Sequence, residues 1–140
     1  MNPLVAIELL SPGTEKEDLG QTLRSVDRLP TKWQVYEQIL RVPYYVVFDR
    51  YSNQLRVFAL QGDRYLEQSL DESRIWIPSL ELGLGLWQGV YRGLERLWLR
   101  WYDVNGTWLL NRDEQAAQDR QRAERLASRL RALGVDPEDV

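Results

Sequence analysis

The first apolar run of the chain, Pro3-Leu-Val-Ala-Ile-Glu8-Leu-Leu10, is nearly continuous and carries β-branched members, the pattern of a strand buried on both faces. Ser11-Pro12-Gly13 ends it. Thr14 and Glu17 have capping-box spacing, and Leu19, Leu23 and Val26 follow at helical intervals, but Gly20 weakens that helix and the stretch reads as irregular. A second capping box, Thr31 with Gln34, opens a clearer helix from Lys32 to about Arg41, and Pro43 fixes its end. Tyr44 to Phe48 is a second buried strand. Strand, helix and strand with a short exit loop make a crossover unit, so the two strands are expected to be parallel neighbours with the helix on one face.

Beyond this unit the pattern changes. Turn signals at Ser52-Asn53 and Gln61-Gly62-Asp63 separate Leu55 to Leu60 and Tyr65 to Leu70, which read as an antiparallel meander. Ile75 to Gly93 carries repeated glycine and several aromatics and reads as irregular, strand-like cover. Arg96 to Asp103 and Thr107 to Leu110 are expected to form a hairpin through Val104-Asn105-Gly106, because Asn-Gly supplies the positive φ angles of a tight turn. From Asn111 the chain turns rich in Glu, Gln, Ala and Arg. Ala123, Leu126, Leu130 and Leu133 recur at heptad a/d spacing before Gly134 stops the helix. The expected organisation is an α/β core of the α+β, mixed-sheet kind over 1–110, with an added hairpin, and an amphipathic helix and tail over 111–140.

Composition narrows the chemistry more than the fold. With 140 residues, one domain and an appended element account for the length. The apolar runs are too short to cross a bilayer and the N-terminus lacks the pattern of a signal peptide, so a cytoplasmic protein with no membrane partner is expected. The chain has no cysteine and no histidine, which excludes thiol and imidazole catalysis and Cys/His zinc sites. Any metal must sit on oxygen, and oxygen donors suit magnesium or manganese. A net charge of −3 argues against non-specific binding of nucleic acid through a basic surface as a whole, while leaving a local patch open.

Two residues stand out. Period-two alternation places Glu8 on the face of Leu4, Ala6 and Leu10, either as a desolvated carboxylate among apolar neighbours or as a sheet-edge group that reaches water. Of 18 basic residues only Lys16 and Lys32 are lysine. Lys16 lies in the acidic cluster Glu15-Lys16-Glu17-Asp18 and reads as a solvated charge. Lys32 sits in the first turn of its helix, where a cation opposes the macrodipole, so helix stability does not account for it. Trp76, Trp87, Trp98, Trp101 and Trp108, with arginines between them, suggest base stacking, but core and hairpin packing explains them better: alternation puts Leu97, Leu99 and Trp101 on one side and Trp98, Arg100 and Tyr102 on the other. Gly83-Leu-Gly85 lacks the lysine of a phosphate loop.

Val-Ala-Ile-Glu8-Leu-Leu-Ser11-Pro12-Gly-Thr14, then Asp18-Leu-Gly20, then Lys32-Trp-Gln-Val-Tyr36, then Val-Pro43-Tyr-Tyr45-Val-Val-Phe-Asp49 resemble the Uma-two family of bacterial restriction endonucleases, within the PD-(D/E)xK superfamily, and the likeness extends to about Leu86. The resemblance implies a mixed sheet flanked by helices, a metal held by an aspartate and the strand glutamate, and a lysine moved from the strand to the following helix. Glu8 matches the metal-binding glutamate and Lys32 the migrated lysine, with Ser11, Thr14, Asp18 and Tyr36 as accessory candidates. Leu10 stands where the standard motif has its lysine. The implied activity is magnesium- or manganese-dependent hydrolysis of DNA. The first acidic ligand comes from upstream strands in the family, whereas Met1 directly precedes the glutamate strand here. The chain is therefore expected to be incomplete or inactive alone, and to oligomerise through an exposed β-prone edge. The alternative is a non-catalytic oligomeric module derived from the nuclease fold.

Overall fold

In this computed structural model residues 1–10 and 31–139 are described, and the stretch from Thr14 to Val26, read above as irregular, lies outside them. The crossover unit forms as expected. Strand β1 (Val5–Leu9) pairs in parallel with β2 (Tyr44–Asp49), Glu8 standing opposite Val47. Between them helix α1 (Lys32–Gln34) starts at a reciprocal capping box, the Thr31 side chain accepting from Gln34 N–H and the Gln34 side chain from Thr31 N–H, so two free donors of the first turn are satisfied. It continues as a π-helical turn, Val35–Ile39.

The meander follows: β3 (Gln54–Gln61) and β4 (Arg64–Glu67) complete a four-stranded mixed sheet in the order β1-β2-β3-β4. The strand expected to run to Leu70 ends at Glu67. A second, antiparallel sheet contains β5 (Arg74–Ile77), β6 (Leu82–Tyr91) and β7 (Leu94–Tyr102).

Side-chain alternation in the first sheet builds two cores. Tyr45, Val47, Phe58 and Tyr65 face α1 and receive Trp33 and Tyr36. Val46, Phe48, Leu55 and Val57 face the other way and receive Leu84, Leu86, Leu99 and Trp101 of the second sheet. The layers within Met1–Thr107 are thus helix, mixed sheet and antiparallel sheet.

Three expectations need correction. β1 is not buried on both faces: Ile7 and Leu9 are 40% and 56% exposed, because β1 pairs only with β2 among the described residues and the second sheet packs mainly over β2 and β3. Ile75 to Gly93 is not irregular, since most of it is β5 and β6. The Asn-Gly reversal does form, with Gly106 at φ +78° and Asp103 N–H donating to Thr107 O, but 107–110 make no strand. β7 instead pairs with β6 through the turn at Arg92-Gly93, from Tyr91↔Leu94 to Gly83↔Tyr102, and this long ladder outweighs a four-residue arm.

The glycines of β6 have a packing role. A Cβ on Gly83 would lie 1.9 Å from the Tyr102 ring, and one on Gly89 2.1 Å from Trp87, so both rings lie against bare backbone.

The chain divides at Thr107, and Trp108–Val140 forms a second unit. Its helix α2 (Arg112–Ala132) is capped by Asn111 with Glu114 in a second reciprocal box, and Gly134 at φ +80° follows its end. On its heptad stripe Leu126 and Leu133 are exposed. No helix among the described residues is long and apolar enough to cross a membrane.

Candidate functional site

Glu8 lies on the α1 face of the mixed sheet, in the alternation of Ala6 and Leu10, with its side chain only 18% exposed. A carboxylate in that position needs partners. The helix delivers them because its own packing fixes its position. The Trp33 ring makes edge contacts with Phe58, Tyr65 and Tyr45 at centroid distances of 4.7, 5.4 and 5.9 Å, which holds α1 against the sheet.

Lys32 and Tyr36 are four residues apart, so they leave the same side of the helix. Lys32 Nζ donates to Glu8 Oε2 at 3.0 Å, and the Tyr36 hydroxyl donates to Glu8 Oε1 at 2.9 Å. The Tyr36 ring is in turn set against buried Tyr45 at 5.1 Å. A lysine placed against the helix dipole thereby has a reason in tertiary structure: it meets the strand carboxylate. Its side chain is 45% exposed, so the ammonium also faces solvent.

The structure brings Glu8, Lys32 and Tyr36 together. Ser11, Thr14 and Asp18 lie outside the described residues. Asp49 follows Val47 on the same face of β2, but it accepts from Tyr51 N–H, Ser52 N–H and the Ser52 hydroxyl. Those bonds, the Ser52 hydroxyl first, hold its carboxyl below the ordinary range. Its role is in the β2–β3 turn. Among the described residues no group of three or more His, Cys, Asp or Glu is placed to hold a metal ion.

Sequence reasoning did not single out Arg56 and Glu67. Arg56 stands in the same cross-strand row as Glu8 and Val47, about 10 Å from Glu8 across two strand spacings. It donates through Nε and Nη2 to the two Glu67 oxygens, each at 2.9 Å. Alternation along β3, with Phe58 facing the helix, was the signal that places Arg56 on this face.

The Arg56 bonds hold the Glu67 carboxyl below its ordinary value. A carboxyl depressed in the folded state adds stability above its unfolded pKa, and that contribution is lost as pH falls through the folded value. Because the pair is largely exposed the contribution is small. Arg56→Gln is expected to return the Glu67 titration to the ordinary carboxylate range, read from its side-chain carbon shift, and to leave stability at neutral pH nearly unchanged.

A mixed sheet that carries a carboxylate on a strand, met by a lysine and a tyrosine from the next helix and backed by an antiparallel sheet, is an α+β architecture consistent with a restriction-endonuclease-like fold. Residues 1–95 match the Uma2 family, described as putative restriction endonuclease. The chain belongs to that family. No curated protein and no solved structure matches it.

Proposed function

We propose that this protein is a metal-dependent DNA endonuclease of the restriction type, of PD-(D/E)xK ancestry, acting in the cytoplasm, with its reaction centre on Glu8 and Lys32. The observation that carries the proposal is the pair of bonds on Glu8, from Lys32 Nζ at 3.0 Å and from the Tyr36 hydroxyl at 2.9 Å. Hydrolysis of a phosphodiester needs a group that orients the attacking water and positive charge where the pentacovalent phosphate gathers negative charge. Glu8 suits the first task and the half-exposed Lys32 ammonium the second. Tyr36 is the positioning residue, since its hydroxyl fixes one carboxylate oxygen while its ring rests on Tyr45. Ser11, Thr14 and Asp18 remain accessory candidates.

Magnesium or manganese is the ion proposed, and it would supply further charge neutralisation at the phosphate. The donor type of Glu8 fits such an ion, but the donor number does not. The described residues offer no cluster around Glu8, and both of its oxygens already accept hydrogen bonds. An ion held by one carboxylate is held mainly by water. Weak or absent magnesium-dependent cleavage of DNA by this chain alone is therefore expected, and a nicking assay with wild type and Glu8→Ala tests it.

A second reading, a non-catalytic oligomeric module, is favoured by that same single carboxylate and by an edge of β1 that has no strand partner among the described residues. No further strand joins that edge among the described residues, and Ile7 and Leu9 stand exposed beside it. Both readings include homo-oligomerisation, because such an edge is a template for pairing with another chain. Sedimentation at micromolar concentration should return a dimer or larger species. A clean monomer would remove this part of the account.

A further inference from the structure

We propose that a second copy of this chain completes the Glu8 centre, its β1 pairing antiparallel with β1 so that two Glu8 carboxylates together hold one divalent cation. The inference rests on the reading of Glu8 as a metal-binding group. It answers the shortfall in donors at that carboxylate, since no group of three or more His, Cys, Asp or Glu forms among the described residues. The direction of the β1 backbone groups follows from the ladder with β2. Tyr44 N–H donates to Leu4 O and Leu10 N–H to Phe48 O, so in this parallel pair Leu4, Ala6, Glu8 and Leu10 turn their N–H and C=O groups toward β2. Those of Val5, Ile7 and Leu9 point the other way, along an edge that no other strand joins among the described residues.

The two edges of the mixed sheet are treated differently. At the far edge β4 carries Arg64 and Glu67, and its outward Tyr65 N–H donates to the buried Glu37 carboxylate at 2.8 Å. Charges and an occupied donor keep a sheet edge from pairing. β1 has neither guard. Val5–Leu9 contains no proline and no lysine, and its one charge, Glu8, turns to the α1 face, while Ile7 and Leu9 are exposed on the opposite face. Such an edge fits another strand of the same kind, and the register that pairs the whole of β1 is the one centred on Ile7. Ile7 then faces its own copy and Val5 faces Leu9, which satisfies every outward N–H and C=O of Val5–Leu9 on both chains.

That register also decides where the carboxylates fall. A two-fold axis normal to the sheet keeps both α1 faces on one side, so Glu8 stands opposite Ala6 of the second copy, and the two Glu8 residues are diagonal neighbours about 7–8 Å apart. Like charges directly opposite would work against the pairing, whereas a diagonal pair beside alanine leaves room between the carboxylates. Each carboxylate arrives with its own ammonium, Lys32 Nζ at 3.0 Å, so the two copies meet with their charges balanced at this point. Each Glu8 oxygen accepts one hydrogen bond, from Lys32 or from Tyr36, and keeps a lone pair for an ion. Two carboxylates with water make an oxygen set suited to magnesium or manganese. An unrelated strand would satisfy the same edge but would supply no second Glu8.

The test uses the full chain, manganese as the probe and no DNA. Sedimentation should return a dimer, and free manganese counted by electron paramagnetic resonance should fall by one ion for every two chains. Glu8→Gln should keep the dimer and lose the ion. Ile7→Lys and Ile7→Glu, at an edge position 40% exposed, each set like charges opposite one another in this register, so each alone should be monomeric, while their equimolar mixture should return to a dimer. Ile7→Pro removes an N–H that β2 does not use, and it should likewise give a monomer that has lost the ion. A wild-type monomer, a dimer that survives Ile7→Lys and Ile7→Pro, a mixture that stays monomeric, or an ion bound once per chain or retained in Glu8→Gln would each overturn the proposal. Nicking of supercoiled DNA is read separately. A dimer that holds its ion and cuts nothing counts against the nuclease reading and supports this one, whereas cleavage by monomeric Ile7→Pro protein counts against this one alone.

Discussion

Replacing Tyr45 with alanine is expected to cost the fold about 3–5 kcal/mol, the range for removing a fully buried aromatic ring. Tyr45 is 0% exposed at the centre of the core between the mixed sheet and α1. Its ring lies 5.1 Å from Tyr36, 5.8 Å from Tyr65, 5.9 Å from Trp33 and 6.3 Å from Phe58, so its loss leaves a cavity bounded by four rings that cannot all close on it. The consequence reaches the site, because Tyr36 rests on Tyr45 and Trp33 seats the helix that carries Lys32. Urea unfolding followed by tryptophan fluorescence measures the cost. Leu126→Ala in α2, at a position 53% exposed, is the matched control and should stay within about 0.5 kcal/mol. A Tyr45→Ala protein as stable as that control would mean that the helix is not held by this core.

The parts of this fold that were legible in the sequence are those where local signals and long-range packing agree. The Thr31–Gln34 capping box, the apolar runs on either side of it and Pro43 together announce β1, α1 and β2, and the parallel pairing follows from the crossover. Burial of β1 was misjudged because an apolar run reports what a strand can tolerate, not whether a neighbour covers it. β6 was misread for the opposite reason. Its glycines lower strand propensity, yet Gly83 and Gly89 are where the rings of Tyr102 and Trp87 lie against the backbone, a relation visible only once β6 and β7 are in register. The Asn-Gly signal was right about the turn and wrong about its arms, since a turn motif is local and the long β6–β7 ladder is not.

In the site, the first-turn position of Lys32 and the strand position of Glu8 were visible, and the four-residue step to Tyr36 follows from helix geometry. The Arg56–Glu67 pair was not singled out. It depends on the register of β3 with both of its neighbours, which alternation along one strand does not supply.

Loss of Glu8 or Lys32 is expected to have the largest effect on activity. Each is a first contact of the proposed centre, and they meet at 3.0 Å. Removing a positive charge aimed at a developing oxyanion, as Lys32→Ala does, typically costs roughly 10²–10³ in rate, and removing the group that orients and deprotonates the attacking water, as Glu8→Ala does, typically costs roughly 10²–10⁴. Lys32→Ala takes away the ammonium and leaves Glu8 held by Tyr36. Glu8→Ala takes away the carboxylate that meets the Lys32 ammonium. Neither residue belongs to the aromatic core that secures the helix, so both variants should unfold in the same cooperative transition as wild type, which distinguishes loss of chemistry from loss of fold.

The most direct test of the account is the rate at which supercoiled DNA is nicked by wild type, Glu8→Ala and Lys32→Ala in magnesium or manganese, with a chelator as the blank. The expected result is slow, ion-dependent nicking at most in wild type and none above the blank in either variant. Robust ion-dependent cleavage that persists in both variants would contradict a reaction centre at Glu8 and Lys32.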